Sequence, residues 1–100
     1  MFVAEEDGVA LGVAGIEGCW LHGLYVDPDA WGTGVAGALV DAALAALPDC
    51  PEVKLWVLEE NRRARRFYEK RGWRENGETR VVEYPPHPTD IGYSFVREEP

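Results

Sequence analysis

Hydrophobic and polar residues alternate in short blocks along the first quarter of the chain, and turn-forming residues separate the blocks. Phe2-Val3-Ala4 is followed by the acidic turn Glu5-Glu6-Asp7-Gly8 and then by Val9 to Ile16, a pattern that predicts two short strands joined as a hairpin. Glu17-Gly18 supplies the next turn. Cys19 to Val26 carries Trp20, Leu21, Leu24, Tyr25 and Val26 and stops at Asp27-Pro28-Asp29, which predicts a third strand. Simple alternation puts Trp20, His22, Leu24 and Val26 on one face of it and Leu21, Gly23 and Tyr25 on the other.

At Gly34 the pattern changes. Gly34 to Leu47 is rich in alanine and leucine with no interior proline, which predicts a helix ended by Pro48. Val35, Leu39, Ala42, Ala43 and Ala46 fall together on a helical wheel, and Asp41 is the only charge, so this helix is expected to be packed on more than one side. Val53 to Leu58 predicts a fourth strand. Asn61 stands where an N-cap belongs, ahead of a second helix over Arg62 to Arg71 that Gly72 stops. Ala64, Phe67, Tyr68 and Arg71 share a face of that helix, leaving a basic outer side. Trp73 to Glu83 and Ile91 to Arg97, joined through Pro85-Pro86-His87-Pro88, predict two more strands. The order β-β-β-α-β-α-β-β specifies an α/β fold with a mixed sheet, without repeats or linkers.

Length and composition set the bounds. A chain of 100 residues suits one domain and buries only roughly two-thirds of its unfolded surface, so each element matters to stability. An apolar share of 46% with 28% charged residues is that of a globular protein, and no apolar run reaches the roughly 20 residues of a membrane span. The acidic opening leaves no room for a signal peptide, so a cytoplasmic setting and no membrane partner are expected. Cys19 and Cys50 match neither a disulfide framework nor a zinc spacing and read as small apolar residues, so no metal is expected. The formal charge of −8 argues against nucleic acid as a partner. Six of the ten cations nevertheless lie between Arg62 and Arg71, a segment able to attract a polyanionic small molecule.

The strongest chemical signal is the segment from Val26 to Gly37, where closely spaced glycines join a strand to a helix. Amides bared at a helix start point outward with the positive end of the helix dipole, and glycine lets phosphate oxygens approach them. A Walker loop is excluded, because Val35 and Ala36 stand where Lys and Ser or Thr would be needed. Gly32, Gly34 and Gly37 do match the G-x-G-x-x-G spacing of dinucleotide sites, but they follow hairpins rather than opening a βαβ unit, and no acidic ribose ligand follows. Glycines that serve only tight helix packing remain the plainer alternative.

Leu24-Tyr25-Val26-Asp27-Pro28-Asp29 followed by Trp31-Gly32-Thr33-Gly34-Val35-Ala36 resembles the acyl-CoA motif of the GNAT N-acetyltransferases, Q/R-x-x-G-x-G/A after a strand ending in V-x-P. Leu55 to Asn61 with Ala64, Phe67-Tyr68 and Gly72-Trp73 resembles the family's following strand and helix. The resemblance implies a GNAT-like acyltransferase fold with a mostly antiparallel mixed sheet and acetyl-CoA as cosubstrate. Trp31 replaces the Gln or Arg that opens the motif, which puts one side-chain contact in doubt and leaves the backbone contacts. The family's domain normally opens with a strand and two helices, and this sequence reads as starting after them, so a shortened domain completed as a homodimer is expected.

The roles implied by the resemblance form one site. Amides from Trp31 through Gly32, Thr33, Gly34, Val35 and Ala36 to Gly37 would hold the pyrophosphate, and Leu24, Tyr25 and Val26 would pair with the pantetheine arm. The Leu24 N–H would polarise the thioester carbonyl. Asn61 would contact the cosubstrate near its thiol, beside its role as helix cap. Tyr68 matches the family's general acid, and a phenol is a fitting donor to a thiolate of comparable basicity. Read from the residues alone, Tyr68 could equally be a core tyrosine. His22 is the candidate base, because imidazole changes charge near neutral pH, although a lone strand histidine is often structural. His87, flanked by prolines, reads as a solvated loop residue. The function expected is direct acetyl transfer to the primary amine of a small-molecule or peptide acceptor. A non-catalytic acyl-CoA-binding module is the alternative, and a nucleotide-binding fragment a weaker one.

Overall fold

The computed structural model describes residues 2–6 and 8–97. The chain divides into two compact units, Met1–Cys50 and Pro51–Pro100. The expected element order holds: β1 (Phe2–Glu6), β2 (Val9–Glu17), β3 (Trp20–Val26), α1 (Val35–Ala45), β4 (Glu52–Leu58), α2 (Arg62–Lys70), β5 (Arg74–Val81) and β6 (Thr89–Val96). A single 3-10 turn, Pro28–Ala30, lies between β3 and α1.

In the first unit β1, β2 and β3 form an antiparallel meander. Simple alternation fails along β3. Val13 pairs with Tyr25 and Gly15 with His22, so two steps on β2 match three on β3, and β3 carries an extra residue at positions 23–24. The bulge turns Leu21 and Val26 to the same face, where both are buried, and puts Trp20, His22 and Tyr25 on the opposite one. The alternation expected from sequence therefore holds on each side of the bulge and not across it.

Helix α1 packs on this meander through Ala36, Gly37, Leu39, Val40 and Ala43. The buried stripe includes the bulky Leu39 and Val40, and Ala38, Asp41 and Ala45 face solvent, so the helix is covered along one side rather than on more than one as expected. Gly12 on β2 makes the close approach possible: a Cβ there would lie 2.9 Å from Leu39 Cδ1 and 2.9 Å from the Tyr25 carbonyl oxygen.

Cys19 and Cys50 are not the two independent apolar residues expected. They form a disulfide with Cα atoms 5.8 Å apart. The meander returns the chain so that the end of the segment after α1 meets the turn before β3, a proximity that sequence spacing does not encode. Closing a loop across 31 residues, the bond stabilises this unit by about 3–4 kcal/mol in the chain-entropy account.

The second unit is an antiparallel sheet in the order β4-β6-β5 with α2 on one face. Val53, Leu55 and Val57 of β4 stand opposite Phe95, Tyr93 and Ile91 of β6 and point to the same side. Trp73, fully buried, and Tyr68 and Ala64 of α2 complete that core. Asn61 caps α2 as expected, its Oδ1 accepting from the Ala64 N–H at 3.1 Å.

Replacing Gly12 with Val should push α1 off β2 and lower stability by about 1–3 kcal/mol. Urea unfolding checks this, and an unchanged midpoint would show that the helix does not depend on the close approach.

Candidate functional site

The chain enters α1 through a turn built by Asp27. Its Oδ1 accepts from the Asp29 N–H at 2.9 Å and its carbonyl from the Ala30 N–H at 2.8 Å. The Ala30 carbonyl then accepts from both the Thr33 N–H, at 3.2 Å, and the Thr33 hydroxyl. Gly32 and Gly34 follow with φ of +87° and +92°, a left-handed conformation that strains any residue with a Cβ. Open space surrounds both α-carbons, so backbone conformation rather than crowding requires glycine here.

Gly34 is the N-cap of α1 and brings no side chain to its first amides. The N–H groups of Gly32, Gly34, Val35 and Ala36 have no acceptor among the described residues. The Thr33 N–H is already spent on Ala30, so the row expected over 31–37 is narrower than the sequence suggested. Trp31 and Gly37 also make interactions within the protein. A cavity of about 440 Å³ lies beside the turn, lined by Val9, Leu11, Asp27, Asp29, Ala30, Thr33 and Val35. No Lys or Arg occurs before Lys54, so an anion at this turn meets backbone dipoles rather than a lysine or arginine of the same unit.

The β3 bulge contributes a second feature. Positions 23 and 24 of β3 stand against a single step of β2, between the Val13–Tyr25 and Gly15–His22 pairs, so the ladder is irregular at Leu24. Leu24 is half-buried, Val26 is buried against α1, and Tyr25 is 61% exposed on the opposite face. His22 shares that face with Tyr25, stacked on Trp20 with ring centroids 6.1 Å apart and its Nε2 4.0 Å from Glu17 Oε2.

Tyr68 and Asn61 belong to the second unit. The Tyr68 ring is 6% exposed and touches Phe67, Trp73 and Tyr93, with centroids 5.2, 5.6 and 6.4 Å away. Burial holds its phenol protonated well above the ordinary tyrosine range. Among the described residues the one sealed side-chain polar atom without a partner is Trp73 Nε1, so the Tyr68 hydroxyl is not such an orphan.

Around Tyr68 runs a network that sequence reasoning missed. The Tyr93 hydroxyl donates to Glu69 Oε2 at 2.7 Å and accepts from Arg65 Nε at 3.1 Å. Arg65 also donates to the Glu59 carbonyl at 2.9 Å and pairs with Glu75 Oε1 at 2.6 Å. One guanidinium thus ties α2 to the turn before it, to β5 and to β6. The i, i+4 spacing of Arg65 and Glu69 was visible, but not the tyrosine between their heads. His87 is exposed, as expected, with its Nδ1 3.1 Å from the Val82 carbonyl oxygen and a φ of +57°.

Among the described residues no three His, Cys, Asp or Glu side chains are grouped to hold a metal ion, and no helix is long and apolar enough to cross a membrane.

Residues 1–73 match the profile of the family described as Acetyltransferase (GNAT) family. An uncharacterized N-acetyltransferase of Mycobacterium tuberculosis (strain ATCC 25618 / H37Rv) is 40% identical over 80 residues, covering 78% of this chain and 50% of that protein. The chain therefore spans about half the length of that relative. The peptidyl-lysine N-acetyltransferase YjaB of Escherichia coli (strain K12) is 36% identical over 66 residues, covering 66% of this chain and 43% of its own. The solution structure of apo YjaB superimposes with a TM-score of 0.80 at 28% identity, over 94% of this chain and 62% of that one. A Bacillus anthracis acetyltransferase in complex with acetyl coenzyme A superimposes with a TM-score of 0.79 at 20% identity, over 96% of this chain and 61% of that one. The fold is accordingly the GNAT-like α/β fold, with a mixed and mostly antiparallel sheet.

Burial raises the phenols of both Tyr68 and Tyr93. Above pH about 10 the unfolded chain releases those protons while the folded chain keeps them, so stability should fall as pH rises through that range. Denaturant unfolding at pH 9 and pH 11 checks the sign, and the Tyr68→Phe variant should show a shallower loss. An equal loss in the variant would contradict the assignment.

Proposed function

Because the chain belongs to the GNAT acetyltransferase family, we propose that it transfers an acetyl group from acetyl-CoA directly to the primary amine of an acceptor. One observation carries the reading: the unspent amides of Gly32, Gly34, Val35 and Ala36, at a helix start with no capping side chain. Such a row of donors at the positive end of a helix dipole suits a diphosphate. Acetyl-CoA supplies the acyl thioester that makes the transfer possible.

The chain's own groups divide the remaining work. Leu24, Tyr25 and Val26 pair their backbone with the pantetheine arm, and the Leu24 N–H, at the β3 bulge, donates to the carbonyl oxygen as negative charge builds on it. Asn61 keeps its Oδ1 on the helix cap and offers its amide nitrogen to the cosubstrate near the thiol. Tyr68 gives its proton to the departing sulfur. The burial that makes this phenol a weaker acid also makes a thiolate beside it a stronger base, so donor and acceptor stay matched. His22 takes the proton that the amine releases, directly or through water. The basic side of α2 steers the phosphates at long range.

The acceptor is a small molecule or a peptide, the reaction needs no metal, and the active form is a cytoplasmic homodimer. A second reading, an acyl-CoA-binding module without turnover, draws on the same ring packing, because a tyrosine held between Phe67 and Trp73 also serves as ordinary core.

Turnover separates the two. Tyr68→Phe should cut amine-dependent thiol release from acetyl-CoA by about 10²-fold or more with little change in acetyl-CoA affinity. Undiminished release in the variant would remove the general-acid role, and an absence of acetyl-CoA binding by calorimetry would remove the acyltransferase reading altogether.

A further inference from the structure

The net charge of the chain is −8, yet one hollow on the second unit carries the opposite sign. It is an open depression of about 620 Å³ between the end of α2 and the start of β5, and Arg66, Glu69, Lys70, Arg74 and Glu75 line it. Arg66 and Lys70 stand four residues apart on α2 and so project side by side. Arg74 follows after the turn that ends the helix.

Both carboxylates in the hollow are committed elsewhere. Glu69 Oε2 accepts the Tyr93 hydroxyl hydrogen at 2.7 Å, and Glu75 Oε1 is paired with Arg65 at 2.6 Å. The three lining cations have no such partner. Among the described residues neither Arg66 nor Lys70 makes an ion pair or a side-chain hydrogen bond. Arg74 is fixed through one nitrogen only: its Nη1 donates to the Glu69 carbonyl at 2.8 Å and the Trp73 carbonyl at 2.7 Å. That leaves the Nε and Nη2 hydrogens of a guanidinium already held in place, which lowers the ordering cost of a further bond. Counting Arg65, four cations face two carboxylates.

We propose that this hollow binds a small molecule carrying a diphosphate or triphosphate group. The site uses residues other than the glycine turn and stands whether or not the acyltransferase reading does. Its volume falls within the roughly 300–1,000 Å³ of small-molecule sites. A planar guanidinium with free N–H groups on one edge grips phosphate oxygens in pairs, while Arg66 and Lys70 supply charge for the neighbouring phosphoryl group. The arrangement favours phosphate over a single carboxylate, because four cations against two carboxylates leave two positive charges, more than one carboxylate can balance.

The test is a titration of the isotopically labelled protein with inorganic tripolyphosphate at low salt, followed by amide resonances, with and without saturating coenzyme A. Saturable shifts at Arg66, Lys70, Arg74 and Glu75 are expected, with unchanged affinity when coenzyme A is present. The Arg66→Gln, Lys70→Gln double variant should weaken binding by about tenfold or more, and raising the salt to physiological strength should weaken it further. Both substitutions lie on the surface, and circular dichroism confirms that the variant is folded. Absence of saturable shifts, undiminished affinity in the double variant, or displacement by coenzyme A would each overturn the proposal, the last by assigning the hollow to the cosubstrate itself. Loss of coenzyme A binding at the glycine turn with tripolyphosphate binding intact would overturn the acyltransferase reading and leave this site standing.

Discussion

A helix cannot satisfy the N–H groups of its own first turn, and in this chain the protein does not do so either. Gly34 offers no side chain as a cap, the left-handed Gly32 and Gly34 turn the backbone so that α1 begins abruptly, and four amides are left with hydrogens to give. A helix start of this kind carries a standing cost unless water or an anion meets it. The surrounding structure keeps the arrangement in place: Asp27 and Ala30 fix the turn before it, Gly12 lets the helix body settle onto β2, and the Cys19–Cys50 bond ties the ends of the whole strand, turn and helix segment together.

Charge is arranged as unevenly as hydrogen bonding. The first unit has no lysine or arginine, so an anion at its helix start is held by dipoles, whose reach is short and whose geometry is exacting. All ten cations lie from Lys54 onward. Some are consumed structurally: Arg65 binds Tyr93, Glu59 and Glu75, Lys54 pairs with Glu78 at 2.8 Å, and Arg80 sits over Trp56 while pairing with Asp90. Others remain available, which is why a chain with an acidic sum can still present basic ground to a phosphate.

The elements were legible because each follows a local rule. Strand alternation away from the β3 bulge, the Asp-Pro and Pro-Asp stops, the alanine-rich helix and the Asn61 cap all depend on neighbours in sequence, and all are present. What was not legible depends on partners distant along the chain. The bulge at positions 23–24 exists only relative to β2, so counting along β3 alone assigned Leu21 and Val26 to opposite faces. The disulfide depends on where the chain returns after α1. The need for glycine at position 12 depends on the helix that lies against it, through Leu39 and Val35. Alanine's uniformity also hid which side of α1 is buried, since residues of one size leave almost no periodic signal. At the candidate site the glycine turn was readable as a type, whereas the Thr33 amide, spent on Ala30, was visible only in three dimensions.

The central claim is that the bare amides at the start of α1 grip a diphosphate. The most direct measurement follows the amide resonances of the labelled protein as coenzyme A is added. Saturable movement of Gly32, Gly34, Val35 and Ala36, with Thr33 least affected because its hydrogen is already engaged, is the predicted result. Coenzyme A binding that leaves those four amides unmoved, or no binding at all, would contradict it.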